Sequence, residues 1–472
     1  MYKRCLDLIL KVQFSPVRSP AVRVGQDTRT LAARRDFRQK NPLLETYATV
    51  VLYAVPFFIG LILIEWIAAK KMGVSVMRSA DTLSSLSSGT TNTLKTVLGL
   101  SVGIISYDWL VNHIAVYTIE ATWLAVVVTF LVKDFGGYWN HRFNHEINVL
   151  WNRHIVHHSS EEFNLACALR QSISVIWVFF ALFMLPAALL GVPTEVIAIV
   201  APLHLFAQFW YHTRLINKMG WFEKVLVTPS HHRVHHAIND EYIDRNYSEV
   251  FIIWDRLFGT FQPELPDVEP VYGVKKAVGT WNPFLINFQH LWRLIKDAWR
   301  AEVWWDKVRI WFMPTGWRPA DVNARFPIDG VLSGEAVKQQ RKYDSKPSTL
   351  ILGFSWLQFV VAQLLMVQLF THLGDLGVQR ALAFGIYLFL TLFSLTSLLD
   401  KSRLAIGAEV LRLITAIVVV VSYGGWFGLE DYFGGAGWVV LGYSGICLVL
   451  SVLLLNSESQ QVERKIGSLE QI

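Results

Sequence analysis

SISVIWVFFALFMLPAALLGVPTEVIAIVAPLHLFAQFWYH, residues 172–212, holds two apolar runs joined only through Gly191, Val192 and Pro193. A helix needs about 20 apolar residues to cross the hydrocarbon core of a bilayer. Proline ends one helix and favours the start of the next. The stretch therefore reads as a helical hairpin, 172–191 and 194–212, set in a membrane. Seven more runs of similar character lie at 47–69, 95–117, 119–135, 349–371, 380–399, 404–426 and 436–455. A buried helix in a soluble core would explain any one of them. Nine in one chain point to an all-α, polytopic integral membrane protein with about nine transmembrane helices.

Composition agrees. Of 472 residues, 53% are hydrophobic and 17% charged, against roughly 25% charged in soluble proteins. Mean hydropathy is +0.36. A soluble globular enzyme and a disordered chain are both excluded on these figures. The net charge of +6 is spread without a dense basic groove, so nucleic acid is not the expected partner and membrane lipids are. Cys5, Cys167 and Cys447 are too far apart for a disulfide framework or a CxxC metal clip. The first run begins too late and is too long for a secretory signal.

Two long polar stretches remain, 136–171 and 213–348. Only the hairpin separates them, so parity places both on one side of the membrane. That side also receives Lys70, Lys71, Arg78, Lys401, Arg403, Arg464 and Lys465, while the opposite loops carry Arg380. The bias of Lys and Arg toward the cytoplasmic face makes that side cytoplasmic. Residues 1–41, with ten Lys/Arg and three Asp, disagree, because nine spans would put them outside. The expected organisation is a basic tail (1–44), a membrane domain carrying the histidines (45–300), an amphipathic interfacial linker (301–348), a C-terminal four-helix membrane region (349–456) and a polar tail (457–472). Residues 82–93, TLSSLSSGTTNT, read as a loop or a small-residue helix cap.

Nine of the 14 histidines fall in two windows, 141–158 and 231–236. On a helix, positions i, i+3 and i+4 share a face. His141 and His145 then point together, as do His154, His157 and His158, and His232, His235 and His236. His212, with Gln208 one turn before it, is a further candidate. Protonated imidazoles at this density would repel one another, which disfavours a pH sensor; a cation accepted by neutral ring nitrogens removes the conflict. One zinc needs only four ligands, so eight or nine histidines suit two metal ions. His145-Glu146 lacks the second histidine of a zinc-protease HExxH, and neither a Ser/His/Asp pattern nor a phosphate loop occurs. A metal transporter would place its ligands inside the spans; here all but His212 lie in the polar stretches. His113, His204, His290 and His372 read as interfacial hydrogen-bonding residues, and Arg170 as a contact to phospholipid headgroups or a bound anion.

The segments HRFNH, HIVHH and HHRVHH, followed by NYSEVFIIWDRLFGTF, resemble the three histidine boxes and closing motif of the fatty acid hydroxylase/sterol desaturase superfamily. NHEINVLWNRHIVHHSSEEFNLACALRQS, QFWYHTRLINKMGWFEKVLVTPSHHRVHH and IDRNYSEVFIIWDRLFGTFQPE are similar, more narrowly, to its alkylglycerol (glyceryl-ether) monooxygenase group, over roughly residues 45–300. The resemblance implies a non-haem di-iron centre and O2. Its ligands map onto His141, His145, His154, His157, His158, His232, His235 and His236, with His212 as the ninth. His231 matches a box position. Some relatives have histidine where this chain has Gln208. The resemblance further implies tetrahydrobiopterin as electron source, with Glu146 near the pterin, and hydroxylation of the ether-bearing carbon of an alkylglycerol to release a fatty aldehyde and a glycerol. The alternative is a sterol or fatty-acyl hydroxylase or desaturase served by an electron-donor protein. Such an enzyme sits in a bacterial inner membrane or the endoplasmic reticulum. Metal-bound histidines usually donate their second N–H to a carboxylate or carbonyl. Asp255 and Asn246 are favoured for that supporting part of the catalytic site, ahead of Glu161, Glu162, Asp240 and Asp244. A salt bridge from Asp255 to Arg256 is the plain alternative.

Overall fold

The computed structural model describes residues 42–469 except 101, 104–105, 121, 175–176 and 179–182. The basic tail expected at 1–44 therefore lies almost wholly outside the described residues. Twelve helices carry the account: α1 (Pro42–Lys71), α2 (Ser79–Val97), α3 (Trp123–Glu146), α4 (Asn148–His158), α5 (Thr194–Ala207), α6 (Pro229–His236), α7 (Ile253–Phe258), α8 (Pro283–Arg300), α9 (Thr349–Thr371), α10 (Leu373–Leu399), α11 (Leu404–Tyr423) and α12 (Ala436–Leu469). Among the described residues the fold is all-helical apart from a two-residue parallel pairing of Val102–Gly103 with Trp177–Val178 and three isolated bridges.

Four of the described helices are long and apolar enough to cross a membrane: Thr349–Thr371, Leu373–Leu399, Leu404–Tyr423 and Ala436–Gln460. They follow the four C-terminal runs closely. Run 47–69 lies within a single helix, α1, and the remaining four behave differently. Run 95–117 is not one helix: α2 ends at Val97, and a separate short helix, Tyr107–Ile114, follows. Run 119–135 is the first half of α3, which continues into the first histidine box. Of run 172–191, the described part contains a short helix at Leu185–Leu189. Run 194–212 gives α5, which stops at Ala207. Apolar composition marks what must be shielded from water; it does not require one uninterrupted helix, and glycine, serine and proline in these runs leave the backbone free to break.

Residues 82–93 are corrected too: they form the middle of a buried helix, α2. Small side chains are needed because the segment 167–171 packs directly on it. A Cβ on Gly89 would lie 2.7 Å from the Leu169 carbonyl oxygen, and the Ser88 hydroxyl donates to the Gln171 carbonyl at 2.8 Å. Thr90 and Thr91 turn their hydroxyls back onto Leu86 and Ser88 carbonyls, which satisfies them inside the helix.

The two polar stretches are tied to the helices by carboxylates. Glu65 on α1 accepts from Thr213 Oγ1 at 2.6 Å and from the Leu165 amide at 2.7 Å. Asp400, after α10, accepts from the Trp281 amide at 2.8 Å and Tyr343 Oη at 3.0 Å. That joins the C-terminal bundle to the histidine-bearing part. Within the bundle, Glu409 and Arg412 pair with no exposure, and Arg412 also reaches Gln358 at 3.1 Å. Residues 301–348 run as short helical turns with Trp304 and Trp305 exposed.

Candidate metal centre

Helices α3 and α4 meet at a single extended residue, Ile147. The sharp joint brings His141 and His145 against His154 and His158. Helix α6 starts with Pro229 in its first turn, where a missing N–H costs nothing. All eight of its residues are buried. These elements converge on two clusters. One contains His141, His145, His154, His158 and His235; the other contains His157, His212, His232 and His236. Within each, ligand atoms all lie within 4.8 Å of one another. The clusters share a wall, with the His158 and His236 rings stacked at 4.3 Å between centroids.

The rings face each other through Nε2. His141 and His154 approach at 2.8 Å, His154 and His158 at 3.1 Å, and His158 and His235 at 3.1 Å. In the second cluster His212 lies 2.8 Å from His232 and 3.4 Å from His157, and His236 lies 3.0 Å from His232. Four of the outer nitrogens are held by carbonyls. Nδ1 of His141 donates to Tyr247 O at 2.7 Å, of His212 to Gln208 O at 2.9 Å, of His235 to Arg245 O at 2.9 Å, and of His157 to Arg170 O at 3.3 Å. A neutral imidazole has one N–H. With it committed to a carbonyl, Nε2 of His141, His157, His212 and His235 presents a bare lone pair to its neighbours. Such an arrangement is repulsive unless a cation lies among the nitrogens. Burial and mutual repulsion hold the rings neutral: His141 and His212 are pushed down to about 3, and His154, His157, His158, His232, His235 and His236 lie well below the usual value. The donor set thus fits two metal ions, five and four imidazoles each.

Supporting residues fall out unevenly. Asp255 touches no histidine. Its carboxylate accepts from the Tyr247 amide at 2.8 Å, the Ser248 amide at 2.8 Å and Thr260 Oγ1 at 2.6 Å, and so fixes the loop whose Tyr247 carbonyl holds His141. Arg256 instead donates to the Glu223 carbonyl. Asn246 adopts a left-handed φ of 54° and clamps the His231 and Gln262 carbonyls at 3.1 and 2.7 Å. Asp244 has a carboxylate oxygen beside a cluster histidine, 3.5 Å from His145 Nδ1. Glu146 pairs with Arg142 at 2.8 Å. Glu161 and Glu162 bind Arg78, and Asp240 binds Lys275.

Three sequence expectations are corrected. His231 belongs to neither cluster; its ring packs on Phe261. It follows Ser230 on the side of α6 turned away from the other box histidines. Arg170 faces no headgroup: it is 2% exposed, pairs with Asp81 at 2.9 Å and reaches Ser159 and Ser85. His204 is not interfacial. It is fully buried, 2.8 Å from Asp134 and 3.5 Å from Glu249, a third group with metal-ligand chemistry. Asp134 also takes the Val250 and Phe251 amides and the Trp254 indole N–H. The i, i+4, i+8 spacing of His204, Gln208 and His212 was the available signal. Of the other plain histidines, His290 is buried on the Asn148 carbonyl, and His113 is exposed and stacked on Trp109.

Comparison with known proteins gives the same reading. Residues 126–260 match the fatty acid hydroxylase family model. Alkylglycerol monooxygenase of Homo sapiens is 34% identical over 80% of this chain and 83% of its own length. That of Xenopus tropicalis is 37% identical over 76% and 79%. A Delta(7)-sterol 5(6)-desaturase of Gibberella zeae is 24% identical over 32% and 46%. No solved structure matches significantly. The chain belongs to the fatty acid hydroxylase family, is similar over most of its length to alkylglycerol monooxygenases, and is an oxidoreductase of the membrane.

Proposed function

We propose that this chain is a di-iron monooxygenase that hydroxylates the ether-bearing carbon of alkylglycerols. The observation that carries the reading is the pair of Nε2-lined clusters, joined with similarity to alkylglycerol monooxygenases over about 80% of the chain. Iron in the two clusters would supply activation of O2 against an unreactive C–H bond. One oxygen atom enters the alkyl C–H next to the ether oxygen; the other leaves as water with two electrons and two protons. Tetrahydrobiopterin is the proposed two-electron donor. The hemiacetal then breaks its C–O bond to a fatty aldehyde and a glycerol.

The chain's own residues have separable parts in this. His141, His145, His154, His158 and His235 hold one ion; His157, His212, His232 and His236 hold the other. Asp255 and Asn246 position the Tyr247 loop and the end of α6. The fully buried Asp134 and His204 exclude water beside the first cluster. The lipid chain is already dissolved in the bilayer and enters from it. The centre lies on the cytoplasmic side, which the Lys/Arg distribution supports.

The test is to supply purified, iron-loaded protein with an alkylglycerol and tetrahydrobiopterin, and separately with a ferredoxin system and a sterol or acyl lipid. Fatty aldehyde formed only with the pterin supports the proposal. Turnover only of the sterol or acyl lipid would move the chain to the desaturase side of the family, which the Gibberella zeae relative represents.

A further inference from the structure

A cavity of about 290 Å³ lies behind α6, lined by Lys218, Lys224, His231, Arg256, Phe261 and Glu264 among others. Its charges are sorted. Glu264 spends both oxygens on Arg233, at 2.8 and 2.7 Å. Glu223, also in the wall, turns one oxygen to the Met219 amide, Thr228 and Ser230. The cations are not matched in this way. Lys218 donates to a carbonyl, that of Glu264, and Arg256 to the Glu223 carbonyl while lying over the Phe261 ring at 3.8 Å. Neither lysine is in an ion pair among the described residues. In the wall, His231 is 2% exposed and its Nδ1 has no partner. A buried polar atom without a partner is rare and marks a place where something else belongs.

The rim is apolar. Trp221 is 65% and Leu257 69% exposed, and Phe222, Val225 and Ile253 are exposed with them. The Ile252 amide donates to the Val225 carbonyl at 3.0 Å, and Arg256 bonds the Glu223 carbonyl, so both segments form one surface. Exposed Trp and aliphatic side chains around cations suit the headgroup zone of a membrane. Guanidinium and ammonium groups inside such a ring suit phosphate oxygens.

We propose that this cavity is a binding site for the phosphate headgroup of an anionic phospholipid, separate from the metal centre, with Lys218, Lys224 and Arg256 as the cations and Trp221, Phe222 and Leu257 resting among the neighbouring lipids. His231, which neither cluster uses, completes the phosphate contacts. Because α6 carries three further histidines, His232, His235 and His236, all of them in one or other cluster and none lining this cavity, the bound headgroup braces that helix from behind.

The full chain, purified in neutral detergent, is titrated with palmitoyl-oleoyl phosphatidylglycerol or phosphatidylcholine, and retained lipid is counted by native mass spectrometry. The wild type is expected to retain phosphatidylglycerol over phosphatidylcholine. Lys224→Gln and Arg256→Gln each should weaken it about fivefold, the effect of one cation near an anionic surface. Lys338→Gln, remote and paired with Glu335, should change nothing. Equal retention of both lipids, or an unchanged Lys224→Gln, overturns the proposal. Inorganic phosphate bound in the absence of any lipid preference would assign the cavity to a free anion and overturn the lipid. Lys224 is exposed, so its variant stays informative if Arg256→Gln fails to fold.

Discussion

Replacing Asp255 with asparagine tests how a residue that touches no ligand governs the metal centre. The carboxylate uses one oxygen for the Tyr247 amide and Thr260, and the other for the Ser248 amide. An amide keeps one acceptor and turns an NH2 toward the second donor. Whichever way it flips, at least one buried backbone N–H is left facing a donor. That loss costs about 1–3 kcal/mol. The strain falls on Tyr247, whose carbonyl takes the His141 N–H at 2.7 Å. Loss of such outer support lowers metal affinity roughly 10- to 100-fold, or about 1.4–2.7 kcal/mol. The assay is dialysis of iron-loaded protein against graded chelator, with iron per chain measured at each step. Asp255→Asn should release one of two irons at 10- to 100-fold lower chelator and leave the other where it was. An iron titration that overlays the wild type, alongside a lowered melting temperature, would refute the reasoning and reduce Asp255 to a loop brace.

Three further outcomes follow from the geometry. His235→Ala and His157→Ala each remove a ligand from a different cluster; each should cut iron from about two per chain toward one and abolish turnover, and full iron content in both would reject the two-cluster assignment. Metal-free protein should lose stability in acid. The folded-state pKa values of His141 and His212 sit at about 3 against about 6.5 in the unfolded chain, so protonation favours unfolding; stability is complete above about 6.5 and falls as pH drops toward 3. A melting temperature flat from pH 7 to pH 4 would contradict this. Arg170→Gln breaks a buried pair with Asp81 and should cost about 3–5 kcal/mol, read as a fall in melting temperature; a wild-type transition would show that the Ser85 and Ser159 contacts suffice.

Sequence alone picked out the histidines that the structure gathers into two clusters able to hold metal. The i, i+3, i+4 spacing fixes which histidines share a helix face, and that periodicity survives any tertiary arrangement; eight box histidines and His212 all take their places. The C-terminal spans were legible for the same reason, since apolar length is a local property. What sequence could not give was anything set by contacts between distant segments. The split into five and four mixes residues from separate helices, so that His157 and His158, adjacent in the chain, serve different clusters. Ser/Thr-rich α2 is buried because segment 167–171 lies on its small side chains, although its composition resembles a loop. His204 and Arg170 found carboxylates 70 and 89 residues away, and no local pattern encodes a partner at that distance. Helix faces are written in the chain, whereas partners and burial are decided by how those faces meet.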